Sequence, residues 1–79
     1  MTVKEFFTLE AGEIFQQGIV FINGVKMHYA FKKGHGQDWA GYYQKHDLPL
    51  SDVTKFGNKM TWTIAKKLCS KDIVNLYRS

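Results

Sequence analysis

The sequence has only one cysteine and only one proline among its 79 residues. The single cysteine, Cys69, excludes a disulfide within the chain and a cysteine-based zinc knuckle, and it favours a reducing compartment. A low proline content, with 44% hydrophobic and 15% aromatic residues, is typical of a chain that folds rather than of a disordered tail. The sequence therefore predicts one compact domain over residues 1–79.

Long apolar segments are also absent. No apolar run approaches the ~20 residues that span a bilayer. The first residues lack the cationic start and the long apolar stretch of a signal peptide. We therefore expect no membrane partner and a cytoplasmic location, either in the cell that produces the protein or in a host cell.

Acidic residues are scarce after the first 13 positions. The formal charge is +4, and residues 14–79 carry ten basic against four acidic residues. A basic body suits nucleic acid or acidic protein partners. The lysines are scattered rather than clustered, however, and scattered lysines are more often simply solvated.

The clearest local pattern is the dipeptide Asn23-Gly24 between two apolar segments. It predicts a type I′ turn, because Asn and Gly tolerate positive φ. The turn sets the register of a hairpin over residues 13–33. One face should pair Ile22 with Val25, Val20 with Met27, Gly18 with Tyr29 and Gln16 with Phe31. The other should pair Phe21 with Lys26, Ile19 with His28, Gln17 with Ala30 and Phe15 with Lys32.

Helix signals surround this hairpin. Thr2 and Glu5 have capping-box spacing, which predicts a helix over residues 2–10 before Gly12. Thr61 is placed to cap a further helix, and residues 51–57 predict one helical turn with a Ser51 cap. Asp38 could cap a helix over residues 38–46 that ends at Leu48-Pro49, although an extended segment crossing the hairpin is the alternative.

The predicted fold class is α+β. Residues 73–77 are rich in strand formers, so we expect a C-terminal strand over residues 72–78 beside the hairpin. The result would be a small antiparallel sheet with helices packed on one face, the face that carries Val20, Met27, Tyr29 and Phe31.

No catalytic or metal-binding pattern emerges. His28, His35 and His46 fall on three different elements, whereas zinc needs three or four converging ligands. Gly34-His35-Gly36 could form a phosphate-binding nest, but a flexible hairpin exit is the commoner meaning of such a loop. We therefore expect no enzyme activity, no metal and no cofactor.

Two surfaces are candidates for binding. The mixed hairpin face combines apolar and cationic residues and suits a protein partner: Phe15, Ile19, Phe21, Lys26, His28 and Lys32. A basic-aromatic window suits single-stranded nucleic acid, unless its rings only cover the sheet: Lys32, Lys33, His35, Trp39, Tyr42, Tyr43 and Lys45.

The opening Thr-Val-Lys-Glu-Phe-Phe and the closing Ser-Lys-Asp-Ile-Val-Asn-Leu-Tyr resemble small uncharacterised proteins of phages and prophages. The resemblance implies no activity and no functional residues. We expect a non-enzymatic protein-interaction domain with an unidentified protein partner, such as an accessory or host-directed factor of a phage or mobile element. The alternative is a nucleic-acid-binding module. A homodimer is compatible with the sheet edges but is not favoured.

Overall fold

The computed structural model describes residues 2–46 and 53–78, which form four strands and several short helices. In chain order these are α1 (Val3–Phe7), β1 (Ile14–Ile22), β2 (Val25–Lys33), β3 (Trp39–Lys45), α2 (Val53–Phe56), β4 (Asn58–Lys59), α3 (Trp62–Leu68), α4 (Lys71–Val74) and a 3₁₀ helix (Asn75–Arg78). The strands form one antiparallel sheet in the order β1-β2-β3-β4. The predicted α+β class is confirmed. None of the helices in these two ranges is long and apolar enough to cross a membrane.

The hairpin has the register that the Asn23-Gly24 turn predicts. Both turn residues have positive φ, 51° at Asn23 and 79° at Gly24. Val20 lies opposite Met27, and Ile19 lies opposite His28. The local chemistry of two residues therefore sets the pairing from Ile22 back to Gln16.

The conformation of Gly24 gives a first testable prediction. Gly24→Val should lower the free energy of unfolding by about 1–2 kcal/mol, because a β-branched side chain is strained in the left-handed region. A Cβ at Gly24 would meet nothing within 4 Å, so strain rather than collision would cause the loss. Urea unfolding measures the effect, with Gly24→Asn as the control that tolerates positive φ. Equal losses in the two variants would contradict the prediction.

A β-bulge interrupts the ladder at the start of β1. Ile14 lies opposite Lys32 and Gln16 lies opposite Phe31, which leaves Phe15 as the extra residue. The predicted pairing of Phe15 with Lys32 is therefore wrong. The Phe15 ring packs on the core side instead, with its centroid 5.3 Å from that of Phe6 and 6.1 Å from that of Phe31.

The predicted helix over residues 38–46 is wrong. Trp39–Lys45 is a strand that pairs with β2, as the extended alternative proposed. Its aromatic residues are good strand formers, and its side chains alternate between the two faces. Gly41 also lets the Phe31 ring lie against the backbone, since a Cβ there would come within 2.6 Å of Phe31 Cε1. The predicted stop at Leu48-Pro49 lies outside the described residues.

The predicted C-terminal strand over residues 72–78 is also wrong, because residues 71–74 form α4 and residues 75–78 a 3₁₀ helix. Ser70 begins α4, and its carbonyl accepts from the backbone N–H groups of Ile73 and Val74. These two neighbouring side chains are both buried. A strand would send them to opposite faces, so tertiary packing overrides their β propensity. Strand β3 occupies the place beside β2.

The other predicted helix starts are confirmed, with shorter elements than expected. Thr2 caps α1 by accepting from the Glu5 backbone N–H at 3.1 Å, but the helix ends at Phe7. Thr61 caps α3 by accepting from the Ile64 N–H. The predicted helical turn over residues 51–57 contains α2, whereas its Ser51 cap lies outside the described residues.

The helices lie on both faces of the sheet rather than on one. The main core combines Phe6 of α1 with Ala65 of α3, Ile73 of α4 and Phe31 of the sheet. Helix α2 contacts β2 and β3, and its Val53 is buried outside this core. On the face opposite Phe31, the side chains of Ala30 and Gln44 are buried as well. Helix α2 therefore covers part of the second face, which corrects the expectation of a single covered face.

Candidate functional site

The mixed hairpin face is largely open at its β1 end. The Phe21 side chain is 68% exposed and that of Ile19 is 51% exposed. Lys26 is exposed, whereas His28 and Lys32 are half-buried. The structure therefore brings these five predicted residues to one face, and the bulge removes only Phe15 from it.

Aromatic contacts hold the cationic side of this face. The His28 ring stacks on the His46 ring, with centroids 4.5 Å apart and an interplanar angle of 26°. The Lys32 ammonium lies 5.5 Å from the centroid of the Tyr42 ring. The side chains of β2 are thus partly fixed by β3 and the turn after it, whereas Ile19 and Phe21 on β1 extend towards solvent.

The backbone of β1 is the second component of this site. Pairs beside a two-residue turn exchange both backbone hydrogen bonds, and bonded and non-bonded pairs then alternate. Gln17, Ile19 and Phe21 therefore direct their N–H and C=O groups away from β2. In agreement, the carbonyl of Lys26, which lies opposite Phe21, accepts from the His46 N–H on the β3 side at 3.0 Å. Across the described ranges, no strand lies beyond β1.

Strand β1 also lacks the usual protection of an edge. Proteins blunt exposed edges with charged side chains, proline or bulges. The sequence of residues 14–22 contains no charge and no proline, and its bulge is confined to the first residues. From Gln17 to Ile22 the edge is regular, uncharged and rich in apolar residues. Such an edge is a template for pairing with another strand.

The basic-aromatic window does not form one surface. Trp39 and Tyr43 lie on the core face, whereas Tyr42 lies opposite Ala30 on the second face. Each of these rings is more than half buried. Of the remaining residues, His35 is exposed in the loop and Lys45 is exposed at the end of β3. The structure thus separates the residues that a stacking platform would have to bring together.

Lys33 has a structural role that the sequence does not reveal. Its side chain is buried, and its ammonium donates to the carbonyls of Gly36 at 2.9 Å and Gly34 at 3.3 Å. It also lies 5.3 Å from the centroid of the Phe6 ring. The loop at Gly34 and Gly36 therefore directs two carbonyl groups towards the ammonium of Lys33. This differs from a phosphate nest, which directs backbone N–H groups to an anion.

Cys69 does not have the properties of a reactive thiol. Desolvation by burial raises its pKa from 9.0 to about 11, against a smaller opposing effect of a backbone hydrogen bond with Ser70. Little of the nucleophilic thiolate is then present at neutral pH. In the part of the chain that the structure describes, no three His, Cys, Asp or Glu side chains are grouped closely enough to hold a metal ion.

A second site, which the sequence analysis missed, lies at the opposite edge of the sheet. This tryptophan cleft has a volume of about 550 Å³ and is lined by Trp39, Ala40, Gly41, Lys59, Met60, Trp62, Ala65 and Lys66. Trp62 precedes Ala65 by three positions, so it extends the apolar face of α3 by one turn. This three-residue spacing is the signal in the sequence that places Trp62 on the apolar side of α3. The approach of Trp39 depends on β3, which the sequence analysis took for a helix.

Comparison of the chain with models of protein families, with curated protein sequences and with solved structures found no match.

Proposed function

We propose that this protein is a small non-enzymatic interaction domain that binds an extended segment of a partner protein as an additional strand beside β1. The observation that carries this proposal is the coincidence of two features on the same residues. Gln17, Ile19 and Phe21 direct backbone hydrogen-bonding groups to the open edge, and the side chains of Ile19 and Phe21 are exposed beside them.

Strand addition uses both features. Main-chain hydrogen bonds to the edge supply affinity, and contacts with alternate side chains supply specificity. An incoming strand would pair with the backbone of β1 and place every second side chain over Ile19 and Phe21. These two residues are among the most exposed large apolar side chains of the described chain. Burying them gives a favourable term of roughly 25 cal/mol for each Å² removed from water.

The charge of the sheet indicates the chemistry of the partner segment. Strands β1, β2 and β3 contain no acidic residue, whereas Lys26 and Lys32 lie on the mixed hairpin face beside β1. A segment that alternates apolar and acidic residues would satisfy both the edge and this positive potential. A second copy of the chain would bring the same uncharged strand and the same positive face, so its charge would not complement that of the first copy. For this reason we propose a different protein rather than a homodimer.

Peptide selection provides a direct test. A displayed library of random peptides, selected against the whole protein, should yield sequences that alternate apolar and acidic residues. Hydrogen exchange measured by NMR should show fast exchange of the amides of Gln17, Ile19 and Phe21 in the free protein, because these groups face solvent. Addition of a selected peptide should slow exchange at these three amides.

Two variants at Ile19 separate the contribution of the backbone N–H to peptide binding from that of the side chain. Ile19→Pro removes an outward N–H without breaking a hydrogen bond to β2, which an edge strand tolerates. We expect it to weaken peptide binding about tenfold or more beyond Ile19→Ala, through the lost hydrogen bond and the ring in the path of the partner. Phe7→Ala is the matched control, since Phe7 is 52% exposed and belongs to α1 rather than to the sheet.

Three outcomes would contradict the proposal. The first is slow exchange at the three outward amides in the free protein. The second is equal binding by Ile19→Pro and Ile19→Ala. The third is a concentration-dependent dimer in light scattering that Ile19→Pro abolishes, which would assign the edge to a second copy of the chain.

The nucleic-acid alternative has no comparable support, because its residues lie on different faces. Titration with single-stranded DNA at several salt concentrations separates the two proposals. A steep log–log dependence of affinity on salt would favour nucleic acid. The setting in a phage or other mobile element depends only on the resemblance of the two ends of the chain, and it stays a prediction.

A further inference from the structure

We propose that the tryptophan cleft binds a small aromatic anion, a flat ring system that carries a carboxylate, sulfonate or phosphate. This site is independent of the strand-addition edge. The sheet order places β1 at one edge and β4, which supplies Lys59, at the other. Either proposal can therefore fail without affecting the other.

The size and lining of the cleft fit a small molecule. Its volume of about 550 Å³ lies inside the range of roughly 300–1,000 Å³ that is typical of small-molecule sites. Most of the residues that line it are apolar, and two of them are tryptophans. Trp39 is 8% exposed and forms the fixed wall, whereas Trp62 is 47% exposed at the start of α3. An exposed indole beside a concave apolar wall is a surface on which an aromatic ring can stack.

The geometry of the two indoles determines where a ring can lie. Their centroids are 5.6 Å apart and their planes are inclined by 45°. Insertion of a ring between them would need about 7 Å, twice the optimal contact distance between carbon atoms. The ligand ring therefore stacks on the exposed part of Trp62 and does not separate the pair.

The charge of the lining residues indicates the sign of the charge that a ligand should carry. Among the lining residues that the structure describes, Lys59 and Lys66 are the only two with charged side chains, and both are cationic. Lys66 also borders a smaller depression, which Lys67 and Lys71 line as well. These described lining residues thus contribute only positive charge, and an anionic substituent on the ring would be attracted to them.

The test uses 2-naphthoate as the probe and 2-naphthylmethanol as its neutral counterpart. The chain contains two tryptophans, and both line the cleft, so both indole N–H signals in a ¹H–¹⁵N NMR spectrum report on it. We expect 2-naphthoate to shift both signals in a saturable manner and to bind at least threefold more tightly than 2-naphthylmethanol. Acetate, which has the charge without the ring, should shift neither.

Matched lysine variants test the assignment of charge. Lys59→Gln and Lys66→Gln should each weaken 2-naphthoate binding by up to about fivefold, the range of a partly exposed ion pair, and leave 2-naphthylmethanol binding unchanged. Lys67→Gln is the control, because Lys67 lies next along α3 but does not line the cleft. An equal effect of Lys67→Gln would mean general charge attraction and would overturn the proposal.

Two further outcomes would overturn it. One is the absence of saturable shifts of the indole signals with 2-naphthoate at millimolar concentration. The other is a binding affinity for oligothymidylate that rises with chain length and exceeds that for 2-naphthoate, which would assign the cleft to single-stranded nucleic acid.

Trp62→Leu should abolish 2-naphthoate binding while the dispersion of the NMR spectrum shows that the domain is still folded.

Discussion

Phe31→Ala should destabilise this protein by about 3–5 kcal/mol, the range for truncation of a buried aromatic residue. Phe31 is fully buried at the centre of the sheet. Its ring contacts three others, with centroids 5.5 Å from Trp39, 5.6 Å from Tyr29 and 6.1 Å from Phe15. The backbone at Gly41 closes the cavity on the β3 side, so the surrounding structure has little freedom to collapse.

The consequence for the whole domain is large. A chain of this length is stable by roughly 4–12 kcal/mol, at about 0.05–0.15 kcal/mol per residue. The substitution would therefore remove a large share of the total. Urea unfolding at 25 °C measures the loss, and Phe31→Leu keeps a measurable transition if Phe31→Ala is unfolded. Phe21→Ala on the same hairpin is the control, because a side chain that is 68% exposed should change stability by about 0.5 kcal/mol or less. Similar losses in both variants would contradict this assignment of the core.

The position of Phe31 was predictable because it depends on local chemistry. Asn23 and Gly24 fix the turn, the turn fixes the register, and the register places Phe31 on the same face as Val20 and Met27. The same is true of the helix that Thr61 begins, where one hydroxyl and a stripe of apolar residues suffice. These elements are specified within about ten residues of sequence.

The errors occur where distant packing decides between two locally acceptable structures. Trp39–Lys45 can be amphipathic as a helix or alternating as a strand, and the free edge of β2 selects the strand. Ile73 and Val74 are strong strand formers that become helical because both side chains fill the core. The bulge at Phe15 has no recognisable signal in the sequence. One extra residue in a strand changes only which residues of the partner strand lie opposite it.

The candidate sites show the same contrast between features that local sequence sets and features that depend on distant packing. Ile19 and Phe21 were predicted on an open face because the hairpin register was correct, and both are exposed. The tryptophan cleft was missed because it forms between β3, β4 and α3. Two of these elements are absent from the predicted fold. A site that depends on correctly placing three elements is lost when one of them is assigned wrongly.

Gln16→Leu should lower the free energy of unfolding by about 2–3 kcal/mol, because the Gln16 amide joins the sheet to the end of α3. Its Nε2 donates to the Leu68 carbonyl at 2.8 Å and to the Tyr29 hydroxyl at 3.2 Å. Its Oε1 accepts from the Ser70 N–H at 3.1 Å. Leucine has a similar size but leaves a carbonyl and an N–H without these partners, each of which costs about 1–3 kcal/mol when buried and less when water can reach it.

Gln17→Leu is the matched control for this prediction, since it makes the same chemical change one residue further along β1. The Gln17 side chain is exposed, so its replacement should change stability by about 0.5 kcal/mol or less. Hydrogen exchange of the Ser70 amide provides a local measurement, because the Gln16→Leu variant should speed its exchange before the domain as a whole unfolds. If the two variants lost equal stability, or if exchange at Ser70 stayed slow, Gln16 would not be the link between β1 and the C-terminal helices.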